Sequence, residues 1–189
     1  MFQGIIEQVG KARVLNNNRI EIIVPRAWKL KAGESVAVNG VCLTLARFAK
    51  KVMTFDLGEE TLKISNFGSL RNGEPVNLER SLVYGSRISG HLLLGHAETL
   101  ARLEKRSWMG DSLLLEFSLR KRHWLMMAKG CVGVSGVSLT INRVWKTKEG
   151  LGFSVCIIPE TQKRTNLKDL SIGEQVNIET DYLAKITQR

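Results

Sequence analysis

A chain of 189 residues, 43% of them hydrophobic, has room for one large domain or two small ones, and no apolar run approaches the roughly 20 residues that cross a bilayer as a helix. The 28 Lys and Arg outweigh the 18 Asp and Glu to give a net charge of +10, which suits nucleic acid, a membrane surface or anionic ligands alike. Only 6% of residues are aromatic and no stretch interleaves them with Lys and Arg, so an oligonucleotide-binding barrel would lack its stacking platform.

The first residues, Met1 to Leu15, carry neither a basic leader nor a small-residue cleavage site, so a cytoplasmic protein without a membrane anchor is expected. Short runs of period two follow. Arg19–Pro25, Ser35–Leu45, Lys51–Leu57 and Pro75–Arg80 read as strands in the first half, and Gly152–Pro159 as one in the second. Turn chemistry separates them at Leu15–Arg19, Lys31–Ser35, Phe48–Lys51, Arg71–Pro75, Thr147–Gly152 and Ser171–Gln175. Helical signals are few: Ser81–Ser86, Leu119–Lys129 and the closing Asp181–Arg189. Cys42, Cys131 and Cys156 form no CxxC pair and adjoin no histidine cluster, so neither a disulfide framework nor a zinc site is expected.

The chain repeats itself. "SVAVNGVCLT" (Ser35–Thr44) returns as "CVGVSGVSLT" (Cys131–Thr140), and Glu60–Glu79 aligns without a gap to Glu160–Glu179 through pairs such as Asn66/Asn166, Asn77/Asn177 and Glu79/Glu179. Trp28 answers Trp124, and Gly4–Arg13 weakly resembles Gly95–Glu104. About six strands in each half suit a small closed barrel, since closure removes exposed edges. An all-β protein of two tandem barrels is expected, with residues 1–90 and 91–189 as the units. Gly40 and Gly136, inside strand-like runs, mark a bulge or the close approach of another backbone or a ligand.

"MFQGIIE" at the start, "NGVCLT" at Asn39–Thr44, His91 and His96 in "GHLLLGHA", "GVSLT" at Gly136–Thr140, "IPET" at Ile158–Thr161 and the paired "VNLE" and "VNIE" together resemble the riboflavin synthase family, with its lumazine-binding repeats, over nearly the whole chain. The resemblance implies two six-stranded antiparallel Greek-key barrels, each holding one 6,7-dimethyl-8-ribityllumazine. It implies a transferase that moves four carbons from one lumazine to the other, giving riboflavin and 5-amino-6-ribitylamino-2,4-pyrimidinedione, the last step of riboflavin biosynthesis, with no cofactor or metal. Two copies of one substrate would explain two related pockets.

By this resemblance the N-terminal pocket uses Gly4, Ile5, Ile6, Cys42, Leu43, Thr44, the run Asp56, Leu57, Gly58, Glu59, Glu60 and Thr61, then Gly95, His96 and Ala97. The C-terminal pocket uses Lys129, Ser138, Leu139, Thr140, and Ile158, Pro159, Glu160, Thr161, Gln162 and Lys163. Cys42 and Ser138 occupy equivalent positions; a thiol is partly ionised near neutrality, whereas a serine needs a base. His96 suits the proton transfers, with His91 structural and His123 on the surface. Lys129, found only in the second copy, would stabilise charge pushed into the heterocycle, and Asp181 would orient Ser138. Catalysis is thus assigned to Cys42, His96, Ser138, Lys129 and Asp181.

Three positions depart from the family's usual pattern: Gln3 where threonine is usual, Ser89 where glycine is usual, and Ser135 where aspartate is usual. The tail is short for a family that assembles trimers through a C-terminal helix, with the active site between subunits. A homotrimer, weakened by that tail, is expected. A non-catalytic paralogue that binds lumazine or flavin is the alternative.

Overall fold

The structure is a computed structural model that describes residues 1–16, 18–120 and 125–187. His123, Trp124 and the centre of the basic run at 121–124 lie outside the described residues. Alternation of buried and exposed side chains gives twelve strands among the described residues. In the first half these are β1 (Gln8–Asn16), β2 (Arg19–Ile23), β3 (Ser35–Val38), β4 (Val41–Ala49), β5 (Val52–Asp56) and β6 (Pro75–Arg80). In the second they are β7 (Thr99–Met109), β8 (Ser112–Leu119), β9 (Cys131–Val134), β10 (Val137–Lys146), β11 (Leu151–Ile157) and β12 (Gln175–Thr180).

Each set closes on itself. The neighbour order is β1-β2-β5-β4-β3-β6 in one barrel, and β7-β8-β11-β10-β9-β12 follows the same Greek-key path in the other. Ile20, Ile22, Leu45, Met53, Phe55 and Leu78 fill the first interior. Leu103, Leu113, Leu115, Phe117, Phe153 and Ile178 fill the second, where Phe117 and Phe153 stack at 5.3 Å. Alternation is what sends these side chains inward while Cys42, Thr44, Ser138 and Thr140 face out.

Gly40 and Gly136 meet another backbone: each other. Both follow a left-handed residue in the turn of a hairpin, Asn39 at φ 45° and Ser135 at φ 43°, and a Cβ on Gly40 would fall 2.4 Å from the amide nitrogen of Gly136. Around them the repeated asparagines lace the barrels together. Asn77 Nδ2 donates to the Ser135 carbonyl (3.0 Å) and Asn177 Nδ2 to that of Asn39 (2.8 Å). Asn77 Oδ1 accepts from the amide of Asn166 (2.9 Å), and Asn177 Oδ1 from that of Asn66 (2.8 Å).

The segments leading into the barrels exchange places. Residues 1–6 run into the first barrel yet place Ile6 in the second core, while 91–97 run into the second yet place Ala97 in the first. They pair where they pass, Phe2 with Leu93, through bonds of 2.8 and 3.0 Å.

Helices are short. Two that the sequence reading missed follow β5 and β11: α1 (Glu59–Ile64) and α2 (Pro159–Arg164), the latter with proline in its first turn. The expected helix at Ser81–Ser86 is instead an irregular connection, held by Leu82 N to Met1 O (3.0 Å) and turned at Gly85 with φ 85°. That at Leu119–Lys129 also fails over its described part: Leu119 ends β8, Met126 plugs the barrel, and Lys129 turns left-handed at φ 70°. The tail forms α3 (Tyr182–Ile186), capped by Asp181 Oδ1 on the amide of Leu183 at 2.9 Å. No described helix is long and apolar enough to cross a membrane.

Candidate functional site

Cys42 and Ser138 each sit beside a leader segment that comes from the other half. The amide of Cys42 donates to the carbonyl of Gly95 (2.8 Å), and that of Ser138 to the carbonyl of Gly4 (2.9 Å). Contact is so close that a Cβ on Gly95 would lie 2.6 Å from that of Cys42, and one on Gly4 2.5 Å from that of Ser138; glycine also takes φ of 78° and 76° there. This corrects the expected grouping: Gly4, Ile5 and Ile6 belong with Ser138, not with Cys42.

Ladder register completes the two groups. The β4–β5 ladder ends at Leu45 and Phe55, and the β10–β11 ladder at Ile141 and Val155, so Cys42–Thr44 and the start of α1 continue from the same end of one barrel, and Ser138–Thr140 and the start of α2 from the same end of the other, with the leader lying on the strand edge between them. The first site therefore gathers Cys42, Leu43, Thr44, Gly95, His96 and Ala97 with the start of α1. The second gathers Gly4, Ile5, Ile6, Ser138, Leu139 and Thr140 with the start of α2. Leu43, Leu139, Ile6, Ala97 and Leu57 are buried in the cores, so at the surface they offer backbone groups only. Ile158, by contrast, is 55% exposed where α2 begins, an apolar face free to meet a flat ring.

Other predicted side chains are already engaged. Asp56 is paired with Arg19 at 2.6 Å, which holds its carboxyl below the usual range. Glu160 is paired with Arg164. Gln162 Nε2 donates to the carbonyls of Asp111 (2.8 Å) and Ile157 (2.9 Å), fastening α2 to its barrel. Glu59, Glu60 and Lys163 are exposed, and Thr61 is half-buried.

Beside Ser138 stands His91, expected from the sequence to be structural. Its Nδ1 lies 2.6 Å from Ser138 Oγ, its ring is buried and its Nε2 has no partner among the described residues. Burial pushes the imidazole below its ordinary pKa, against the field of Asp181, which favours the cation. A neutral imidazole can take the hydroxyl proton. Asp181 does not bond Ser138: its carboxylate caps α3, and it acts on His91 through its charge. His96 lies exposed next to Gly95, at the Cys42 site.

Two carboxylates absent from the expected set fasten the leaders. Glu79 accepts from the amides of Gln3 (2.8 Å) and Gly4 (3.0 Å), and Glu179 from those of Leu94 (2.7 Å) and Gly95 (3.0 Å). Both are buried, and desolvation pushes Glu79 up to about 7 and raises Glu179 too. The repeat alignment pairs these acids, and a charged residue shared by two alternating strands was the signal available. Lys129 occupies the place of Gly33: the amides of both bond across the barrel, to Ile141 and Leu45 at 2.8 Å, and both take positive φ. A lysine held there carries strain that glycine would not.

A separate cleft of about 860 Å³ opens between the barrels on the asparagine side, lined by Arg71, Arg102, Arg120, Asn66 and Asn166 among others. None of the predicted site residues lines it. No cluster of His, Cys, Asp or Glu suited to a metal occurs among the described residues.

A lumazine binding domain matches residues 3–81 and again 94–181. The riboflavin synthase of Escherichia coli (strain K12) is 38% identical over 189 residues, covering 96% of this chain and 87% of that protein; the one from Schizosaccharomyces pombe is 31% identical over 199 residues, covering 100% and 93%. The chain belongs to the riboflavin synthase family. Its fold matches that of LumP complexed with riboflavin, at a TM-score of 0.82 and 25% identity over 95% of this chain and 99% of that one. Within the riboflavin synthase family the two repeats of this chain carry different side chains at one position, thiol in the first and hydroxyl in the second.

Proposed function

We propose that the protein is a riboflavin synthase, converting two molecules of 6,7-dimethyl-8-ribityllumazine into riboflavin and 5-amino-6-ribitylamino-2,4-pyrimidinedione. The observation that carries this reading is the pair of equivalent, differently armed sites at Cys42 and Ser138, each closed by a glycine from the other half. Disproportionation needs one molecule to give up four carbons and an identical one to take them. Two related but unlike sites meet that need.

Each lumazine would lie on a strand end, its pyrimidinedione edge read by backbone groups of the leader and helix-start segments, its ribityl chain held by Thr44 or Thr140. The chemistry begins with loss of a proton from a 7-methyl group on one molecule and addition of a nucleophile to the other. His91 supports this at the second site by accepting the Ser138 proton, a role worth typically 10²–10⁴ in rate. Cys42 needs no such base, being intrinsically nucleophilic, and His96 beside it would carry protons. Lys129 would stabilise electron density driven into the ring.

The barrel of β1–β6 and the barrel of β7–β12 would each hold one lumazine, each site completed by the leader of the other half. We place the active site between subunits of a homotrimer in the cytoplasm, an assembly supported by exposed Leu183 and Ile186 on α3. The decisive experiment incubates the purified protein with 6,7-dimethyl-8-ribityllumazine alone. One riboflavin for every two lumazines consumed, at a rate rising faster than linearly with protein, bears the reading out. Tight binding without turnover would make the protein a ligand carrier instead.

A further inference from the structure

Gln3 and Ser89, 86 residues apart, touch each other. The amide of Ser89 donates to Gln3 Oε1 at 2.8 Å. Gln3 also accepts through its carbonyl from the amide of His91 (3.2 Å) and donates through its own amide to Glu79 (2.8 Å). Between the two bonded amides lies Gly90, where an added Cβ would stand 2.0 Å from the Gln3 carbonyl oxygen and 2.8 Å from Ser138 Cβ. The connection Ser89–Gly90–His91 is thus pressed flat between Gln3 and β10, fastened at one end by the Gln3 side chain and at the other by its main chain.

We propose that Gln3 is a positioning residue, its side-chain oxygen holding the Ser89–His91 segment so that the His91 ring meets Ser138. A threonine at this position would carry its oxygen on Cβ, two carbons short of Oε1, and would not reach the same amide from the same backbone. The bond at stake has a strict tolerance: His91 Nδ1 stands 2.6 Å from Ser138 Oγ, and a shift of about 1 Å in a catalytic pair costs on the order of a hundredfold in rate. The main-chain bond from His91 to Gln3 remains when the side chain is changed, so partial loss is expected rather than collapse.

The proposal rests on the reading that Ser138 takes part in turnover, and its test has a readout that does not. Gln3→Met keeps the length of the side chain but removes the acceptor; Gln3→Glu keeps it. In full-length protein, the His91 Nδ1 resonance in ¹⁵N-detected NMR should move in Gln3→Met and return to the wild-type position in Gln3→Glu. Turnover should fall about tenfold in kcat for Gln3→Met, with KM for 6,7-dimethyl-8-ribityllumazine within about twofold because the ligand-facing backbone is untouched, and should recover in Gln3→Glu. A Gln3→Met protein with unchanged His91 resonance and unchanged kcat would overturn the proposal. If the wild type binds lumazine without turnover, the enzyme reading fails while the NMR arm still decides the brace. Should Gln3→Met not fold, Gln3→Thr, with its shorter oxygen, is read in the same way.

Discussion

Gly40 and Gly136 stand so close that neither has room for a side chain: a Cβ on Gly136 would lie 2.7 Å from the amide nitrogen of Gly40, and the reciprocal distance is 2.4 Å. Backbone rather than a flexible side chain is the obstacle, so relief requires moving one barrel against the other. Gly40→Ala should cost about 3 kcal/mol or more in denaturant unfolding, combining a left-handed alanine with overpacking. Gly33→Ala, also at positive φ but with nothing within 4 Å, isolates the backbone cost and should lose about 1 kcal/mol. Equal losses would show that contact at the seam is not what matters.

Glu79→Gln tests the leader clamp. An amide replaces one oxygen, so an NH₂ group must face a backbone N–H and one buried donor goes unpaired, a cost of about 1–3 kcal/mol. The pH dependence has a definite sign. A carboxyl raised in the folded state to about 7 from its ordinary 4.5 binds its proton more tightly folded than unfolded, so its stabilising contribution is full below 4.5 and fades as pH rises through about 7. The urea midpoint should fall between pH 5 and pH 8, with a shallower fall in Glu79→Gln. A flat wild-type profile would remove Glu79 from this account.

Lys129→Gly separates stability from function. Glycine takes the φ of 70° without strain, so the variant should be more stable by about 1 kcal/mol in thermal or denaturant unfolding. Turnover should nevertheless fall, because the charge is gone. Unchanged kcat would reduce Lys129 to an exposed side chain on an awkward turn.

His91 and Ser138 should behave as one unit. Ser138→Ala and His91→Asn should each lower kcat, and the double variant should be little worse than the worse single one, as expected for groups acting on the same proton. With burial holding His91 below its ordinary value, the acid limb of the rate profile should lie below about pH 6.5 and vanish in His91→Asn. Additive losses would separate the two residues.

Repetition made the fold legible. Once Ser35–Thr44 was seen again at Cys131–Thr140, two similar barrels and the equivalence of Cys42 with Ser138 followed from residues alone, and close backbone approach at Gly40 and Gly136 was among the readings offered. What the alignment could not reveal was which copy's leader lies on which copy's barrel: Gly4 and Ser138 are far apart in sequence, and repeat symmetry permits either exchange or self-packing. His91 was missed for a related reason, since its partner is set by that crossing. Glu79, Glu179 and the paired asparagines were visible as identities without a reason, because their bonds run largely to backbone amides and carbonyls, which carry no residue-type signature. The helix at Ser81–Ser86 failed because Leu82 bonds Met1 instead of a helical partner and Gly85 turns left-handed, making the segment an irregular bridge between the halves.

The crossed leaders have a consequence for how the two sites came to be coupled. With Gly4 on Ser138 and Gly95 on Cys42, Asn77 answering Asn177 and Gly40 answering Gly136, the contacts are those of an isologous pair, in which each surface meets its own copy. The connection between Arg80 and His91 turns that pair into a single molecule, replacing a second-order association with an intramolecular one at high effective concentration. Dilution that would dissolve a two-chain version leaves these halves joined, and freed from identity by the covalent link, one half can keep a thiol where the other carries a hydroxyl.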